Sequence, residues 1–335
     1  MNQNPSVVAL GHAIVDVLAR ADDSEVSALG LHKGTMALVD GDRSADLYSS
    51  VTPDAHASGG SAANTAACLA SLGASVRFVG KVADDEMGKV FAEDIRAAGV
   101  QYDTPPGGTD GPATGRCLVL VTPDAEKTMC TDLGAGATID PEDLHLESIA
   151  AARVLYMEGY LVGPPGTTTT VERAVEEARR AGTLVAFSAS DPGWVELQRE
   201  ALVALLDRVD ILFANEPEAL GLAGRSELDA AVDWLVAKVP TVAVTLGAAG
   251  CVVASGDGSR VHVPAAEVAQ VVDSTGAGDS FAAGFLYGMV NDLGAETSAR
   301  LGALSAAEIV GHLGARPLSR LADLAAAAGL SGRRG

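Results

Sequence analysis

Short apolar runs closed by glycine or turn residues alternate with longer stretches in which apolar positions recur every three or four residues. Residues 7–10 (VVAL) form the first run and end at Gly11; 14–18 (IVDVL) form the second and carry a single charge, Asp16. Further strand-like runs fall at 35–39, 76–79, 154–157, 184–187, 211–213 and 242–246. Helical patterns lie between them at 58–73, 88–98, 168–181, 196–206, 216–222, 227–238, 279–291 and 296–312. Gly73 and Gly99 stand where helix C-caps are expected. The pairs 251–254 and 261–263 are separated by turn residues and predict a hairpin. Apolar strands without alternation, each followed by a helix, predict a largely parallel sheet covered on both faces.

Two stretches break this rhythm. Residues 106–136 read as a loop, a strand, a polar turn and another extended piece. Together with 14–57 they predict a small separate sheet, a discontinuous lid on a main α/β domain made of 1–13, 58–105 and 137–335. The Ala-rich tail from Leu318 predicts a final surface helix with a frayed end.

Composition narrows the function. The chain has 335 residues, 48% hydrophobic, enough for a large core. It carries 44 acidic against 23 basic residues, a net charge of −21, which argues against nucleic acid or an anionic membrane as partner. Cys68, Cys117, Cys130 and Cys251 lack metal-ligand spacing and read as buried free thiols in a reducing compartment. The N-terminus has no secretory pattern, and no apolar run approaches the roughly 18 residues of a membrane span, so a cytoplasmic protein is expected.

The chemistry concentrates in VVDSTGAGDSFAAGFLYG, residues 271–288. A run ending in Asp273 leads into a turn without large side chains, and Asp279 opens a helix. Backbone N–H groups of such a turn and helix start converge on one point and stabilise negative charge. Asp279 there is either a general base or an ordinary N-cap. The turn is not a Walker A loop, and no lysine follows Lys238. SGGSAANT at 58–65 sets Gly59 and Gly60 before a helix bearing Asn64, either a close approach for substrate or a tight packing turn. Asp16, a carboxylate in an apolar run, must be paired, at an edge, or open to a pocket.

These segments resemble the ribokinase-like, PfkB-type carbohydrate kinases over nearly the whole chain. SGGSAANTAACLASLG, FVGKVADDEMGKVFAEDIRAAGV, VDILFANEPEA, VTLGAAG and DSTGAGDSFAAGF occur in the family's order and at its usual spacing. GHAIVDVLA, GRCLVLVTPDAEKTM and YMEGYLV bring the chain nearest to the adenosine kinases. The resemblance implies a doubly wound sheet with a lid, and ATP-dependent phosphorylation of the 5′-hydroxyl of adenosine; the alternative is another nucleoside or a free sugar such as ribose or fructose. It implies Asp279 as catalytic base, with Gly276, Ala277 and Gly278 as anion hole. Asp16, Gly59, Gly60 and Asn64 would bind the acceptor, with His12 where the family commonly has Asn. The aromatic expected on the base falls near Gly193, so the adjacent Trp194 is its candidate replacement. Thr245, Gly247, Gly250, Ala306, Ala307 and Gly314 would flank the nucleotide, and Asn215 and Glu218 would organise Mg²⁺ largely through water. A monovalent cation such as K⁺ is a further family feature without a signal here, and both monomer and homodimer are compatible with it. Arg116 and Lys127, the basic residues of the lid hairpin, read as solvent-exposed charges.

Overall fold

The computed structural model describes residues 4–330 apart from Thr109 and Ala125. Its strands are β1 (Val7–Leu10), β2 (Ile14–Arg20), β3 (Met36–Leu38), β4 (Ala55–Gly59), β5 (Val76–Val79), β6 (Thr114–Val121) and β7 (Lys127–Gly134). They continue with β8 (Val154–Glu158), β9 (Leu184–Ser188), β10 (Ile211–Asn215), β11 (Thr241–Thr245), β12 (Cys251–Ser255) and β13 (Arg260–Val263).

Eight of them form one sheet in the order β13-β12-β11-β10-β9-β8-β1-β5. The pairs from β5 to β11 are parallel, and β12 and β13 add an antiparallel hairpin at one edge. Alternate residues feed two cores. Val7, Ala9, Phe78, Tyr156 and Phe213 pack on one face with helices Ser61–Leu72, Ala277–Val290 and Ala295–Val310. Val8, Leu10, Leu155, Met157 and Phe187 pack on the other with helices Pro165–Ala181, Pro192–Leu206 and Leu228–Val236. Burial on both faces is why these strands read as unbroken apolar runs, each large side chain contributing roughly 1.5–3 kcal/mol.

The remaining strands form a second sheet, β3-β7-β6-β2-β4. Residues 14–57 hold more than strands. Helices Asp23–Ala28 and Gly41–Ser49, both capped by aspartate side chains, lie there too. Val15, Val17, Leu118 and Leu120 turn one face of this sheet into the first core, whereas Ile14, Cys117 and Val119 form a small cluster on the other.

The last helix, Leu321–Ala327, is not a surface helix throughout: Leu321 and Ala325 are buried, and it packs on Ser61–Leu72. The frayed end expected beyond it falls on 331–335, outside the described residues. All four cysteines are buried and free. Among the described residues no helix is long and apolar enough to cross a membrane.

Candidate active site

A cavity of about 560 Å³ opens where the carboxyl ends of the parallel strands meet the outward face of the second sheet. That is the expected position for ligands in an open α/β sheet. Glu158, Asn215 and Thr245 end β8, β10 and β11 and reach it, as do Ser188, which ends β9, and His12, two residues beyond β1.

The floor is the start of helix Ala277–Val290. Its N-cap is Gly276, at φ +78°, and Asp279 is the third helical residue rather than the cap. A Cβ on Gly276 would lie 2.5 Å from the Ala315 Cβ, so both backbone conformation and space demand glycine. The first helical N–H groups have no intrahelical acceptor, and Gly278 has open space beside its Cα. Asp279 bonds across the chain instead of capping. Ser61 Oγ donates to its Oδ1 at 2.6 Å, and Asn64 Nδ2 to its Oδ2 at 3.0 Å. Burial pushes the Asp279 carboxyl up to about 6 against these two donors.

Asp16 projects from the middle of β2, between β4 and β6, onto the cavity face. Burial raises its carboxyl to about 6, partly offset by the charges of Arg316 and Lys127. Gly59 lies directly behind it: a Cβ there would sit 2.5 Å from all three carboxylate atoms. On Gly60, at φ +97°, a Cβ would lie 2.2 Å from the His12 carbonyl oxygen. His12 and Glu158 are both buried, with Nδ1 2.7 Å from Oε1. A carboxylate partner places the proton on Nδ1. Glu158 also accepts from the backbone N–H groups of His12 and Ala62, tying β1, β8 and the helix at Ser61 together. His12 Nε2 and Asn64 Oδ1 are buried without a partner, and both residues line the cavity.

At the other end, Asp273 accepts from the N–H groups of Thr275 and Gly314 and pairs with Lys127. Burial would raise its carboxyl, but Lys127 and these donors hold it below the ordinary carboxylate range. Lys127 also reaches Thr275 Oγ1 at 3.3 Å. It is therefore not a solvent charge: a lysine from the second sheet lies against a glycine turn that has no lysine of its own. Nor is Arg116, whose guanidinium stacks 5.0 Å over the Tyr48 ring. Asn215 and Glu218 form a closed capping box, with amide, carboxylate and both backbone N–H groups paired. Their polar atoms are largely spent on each other, which suits contact with a metal through water better than direct ligation. Among the described residues no group of three side chains is placed to hold a metal ion directly.

Thr245, Gly247 and Gly314 line the cavity, whereas Ala306 and Ala307 are not among its lining residues. Gly250 is also outside it; a Cβ there would meet the Val263 carbonyl at 2.1 Å, so it serves the β12–β13 edge. Trp194 is the clearest displacement. Its indole N–H donates to the Gly159 carbonyl at 2.9 Å, and its ring meets Tyr160 edge-on. Tyr160, not Trp194, lines the cavity.

The pattern of the pfkB family of carbohydrate kinases matches residues 44–321. The chain belongs to that family. An adenosine kinase structure from Sinorhizobium meliloti is 42% identical, covers 97% of this chain and all of its own, and superposes with a TM-score of 0.91. A probable sugar kinase structure from Rhizobium etli is 38% identical, with 98% and 99% coverage and a TM-score of 0.92. Probable fructokinase-2 of Arabidopsis thaliana is 30% identical over 70% of this chain and 73% of its own. As a pfkB kinase with the ribokinase-like fold of these structures, the protein is a phosphotransferase with a hydroxyl acceptor. ATP use follows from the family.

Proposed function

We propose that this pfkB kinase transfers the γ-phosphoryl group of ATP to the 5′-hydroxyl of adenosine, as a cytoplasmic enzyme. The observation that carries the acceptor assignment is the composition of the cavity's outer wall. Ile14, Leu18, Val119, Met129 and Leu133 make most of that wall, Asp16 is its one carboxylate beside Lys127 and Thr131, and Tyr160 stands at the main-sheet side. A free sugar presents hydroxyls in every direction and would leave several facing that wall, each without a partner. A nucleoside presents a flat base to the apolar side and two vicinal hydroxyls to one carboxylate. The partnerless His12 Nε2 and Asn64 Oδ1 lie at the same polar end.

In this reading Asp16 accepts the ribose hydroxyls, and Tyr160 stacks on the base with Trp194 fixing its ring. Asp279 accepts the proton of the attacking 5′-hydroxyl, held on line by Ser61 and Asn64. The N–H groups of Gly276, Ala277 and Gly278 offset charge on the transferring phosphoryl oxygens, that of Ala277 in exchange for its 3.2 Å bond to the Ser274 carbonyl. Thr245, Gly247 and Gly314 flank the nucleotide. Mg²⁺, when bound to the nucleotide, would neutralise phosphate charge, with Asn215 and Glu218 holding its water shell.

The test is ADP release with Mg-ATP and adenosine, inosine, guanosine, ribose or fructose. Adenosine should exceed fructose in kcat/KM by about 100-fold, the equivalent of one well-packed aromatic contact plus the apolar wall. Preference for fructose would overturn the nucleoside reading and favour the second one, a sugar kinase, which the fructokinase similarity supports.

A further inference from the structure

Arg316 is a basic side chain beside the cavity that the family pattern above leaves unassigned, and its surroundings are unusual for a cation. Its Nε and Nη2 both donate to the Ser58 carbonyl, at 3.1 and 2.8 Å, and Nη2 also to Ser58 Oγ. Its Nη1 donates to the Ala63 carbonyl at 2.8 Å. Every acceptor is neutral, although Asp16, Asp94 and Asp279 are near enough to feel the charge. Ser58 is fixed in turn by Asp94, which accepts from both its N–H and its hydroxyl.

The two carbonyls bracket the turn Gly59-Gly60-Ser61. Gly59 backs the Asp16 carboxylate, and Ser61 donates to Asp279. The fork of Arg316 thus clamps both ends of the segment through which the two carboxylates are related. The residues just before it read the other side of the site: Ala315 packs on Gly276, and the Gly314 N–H binds Asp273.

From this geometry we infer that Arg316 is a positioning residue that holds the 58–63 turn in register with the glycine turn at 273–276. It thereby aligns the acceptor-binding carboxylate Asp16 with Asp279. The inference rests on the roles assigned to Asp16 and Asp279 above. A planar fork can span Ser58 and Ala63 at once, whereas an ammonium cannot reproduce the bidentate contact. The consequence should fall on acceptor use rather than on ATP binding, because Gly314 and Ala315 keep their own contacts.

The experiment compares Arg316→Met and Arg316→Lys with the parent enzyme, using Mg-ATP and the better acceptor of adenosine and fructose. In both variants kcat/KM for the acceptor should fall by about 10- to 100-fold, the cost of a small misplacement of reacting groups. The Kd for ATP alone should stay within about twofold. A folded Arg316→Met enzyme with parental acceptor kinetics overturns the inference, as does an equal loss of ATP affinity, which marks a general structural role. If the Met variant does not fold, Arg316→Lys decides by the same criteria, since it retains charge and length. Asp279→Asn is assayed alongside. If it keeps parental turnover, the assignment of Asp279 fails; if it is inactive while the Arg316 variants are normal, only the positioning inference fails.

Discussion

If Asp279 is the base, as proposed, its burial and the two hydrogen bonds that oppose it set where activity begins to fall in acid. Ser61→Ala removes the shorter of them, the 2.6 Å bond to Oδ1, and leaves Asn64 in place. A hydrogen bond to a charged group contributes about 1.5–3 kcal/mol. Water entering the cavity would recover part of that, leaving a loss of about 1.4 kcal/mol, or one pKa unit. Asp279 stands at about 6 in the native protein, and the variant should therefore titrate near about 7. The ionised fraction at pH 6 then falls from about one half to about one tenth, while at pH 8 it stays above about nine tenths. Turnover should drop about fivefold at pH 6 relative to the parent, beyond any factor common to both pH values. The assay is kcat against pH from 5 to 9 at saturating Mg-ATP and acceptor, with coupling enzymes checked at each pH. An acidic limb that does not move, or a loss of equal size at pH 6 and pH 8, would refute the assignment of Asp279 as the base.

Asp279→Asn should also stabilise the fold. Burial raises the carboxyl above its ordinary range, so the ionised form is a cost that is present above pH 6 and absent below pH 4. The variant should unfold with about 1–3 kcal/mol more stability at pH 8 and with no gain at pH 4; equal shifts of the thermal transition at both would contradict this. Tyr160→Ala should raise the KM for adenosine about tenfold, the worth of one base–aromatic stack, and leave fructose kinetics unchanged. A uniform change for both acceptors would remove Tyr160 from base recognition.

The main sheet was legible because strands buried on both faces leave few polar positions, and helices with C-terminal glycines mark their own ends. Helices Asp23–Ala28 and Gly41–Ser49 were not. They are short and bury only Val26 in the first and Ser44 and Leu47 in the second, too few positions to show a period. At the site, local patterns located the glycine turn, Asp16 and the Gly59-Gly60 pair. What they left undecided was whether Asp279 caps a helix. The answer lies in Ser61 and Asn64, more than two hundred residues away in sequence. Lys127 and Asp273 are likewise distant in the chain, and neither carries a local mark of its partner. Trp194 was misplaced because its position along the chain was weighed without its indole N–H, which needs an acceptor and finds one at Gly159. Glu158 could have been noticed by the logic applied to Asp16, since it too is a carboxylate in an apolar strand, here at its end.

The second sheet enters the chain in two pieces, and its cavity face is carried almost wholly by β2, β3, β6 and β7. The glycine turn and Asp279 belong to a helix near the other end of the chain. Across this division Lys127 meets Asp273 and Thr275. Side chains such as Val119, Met129 or Leu133 can therefore be exchanged for others of different shape without breaking any hydrogen bond around Asp279. An architecture of this kind lets descendants diversify what they recognise while inheriting unaltered the apparatus that reacts. It also tells an engineer which strands to randomise and which turn to leave alone.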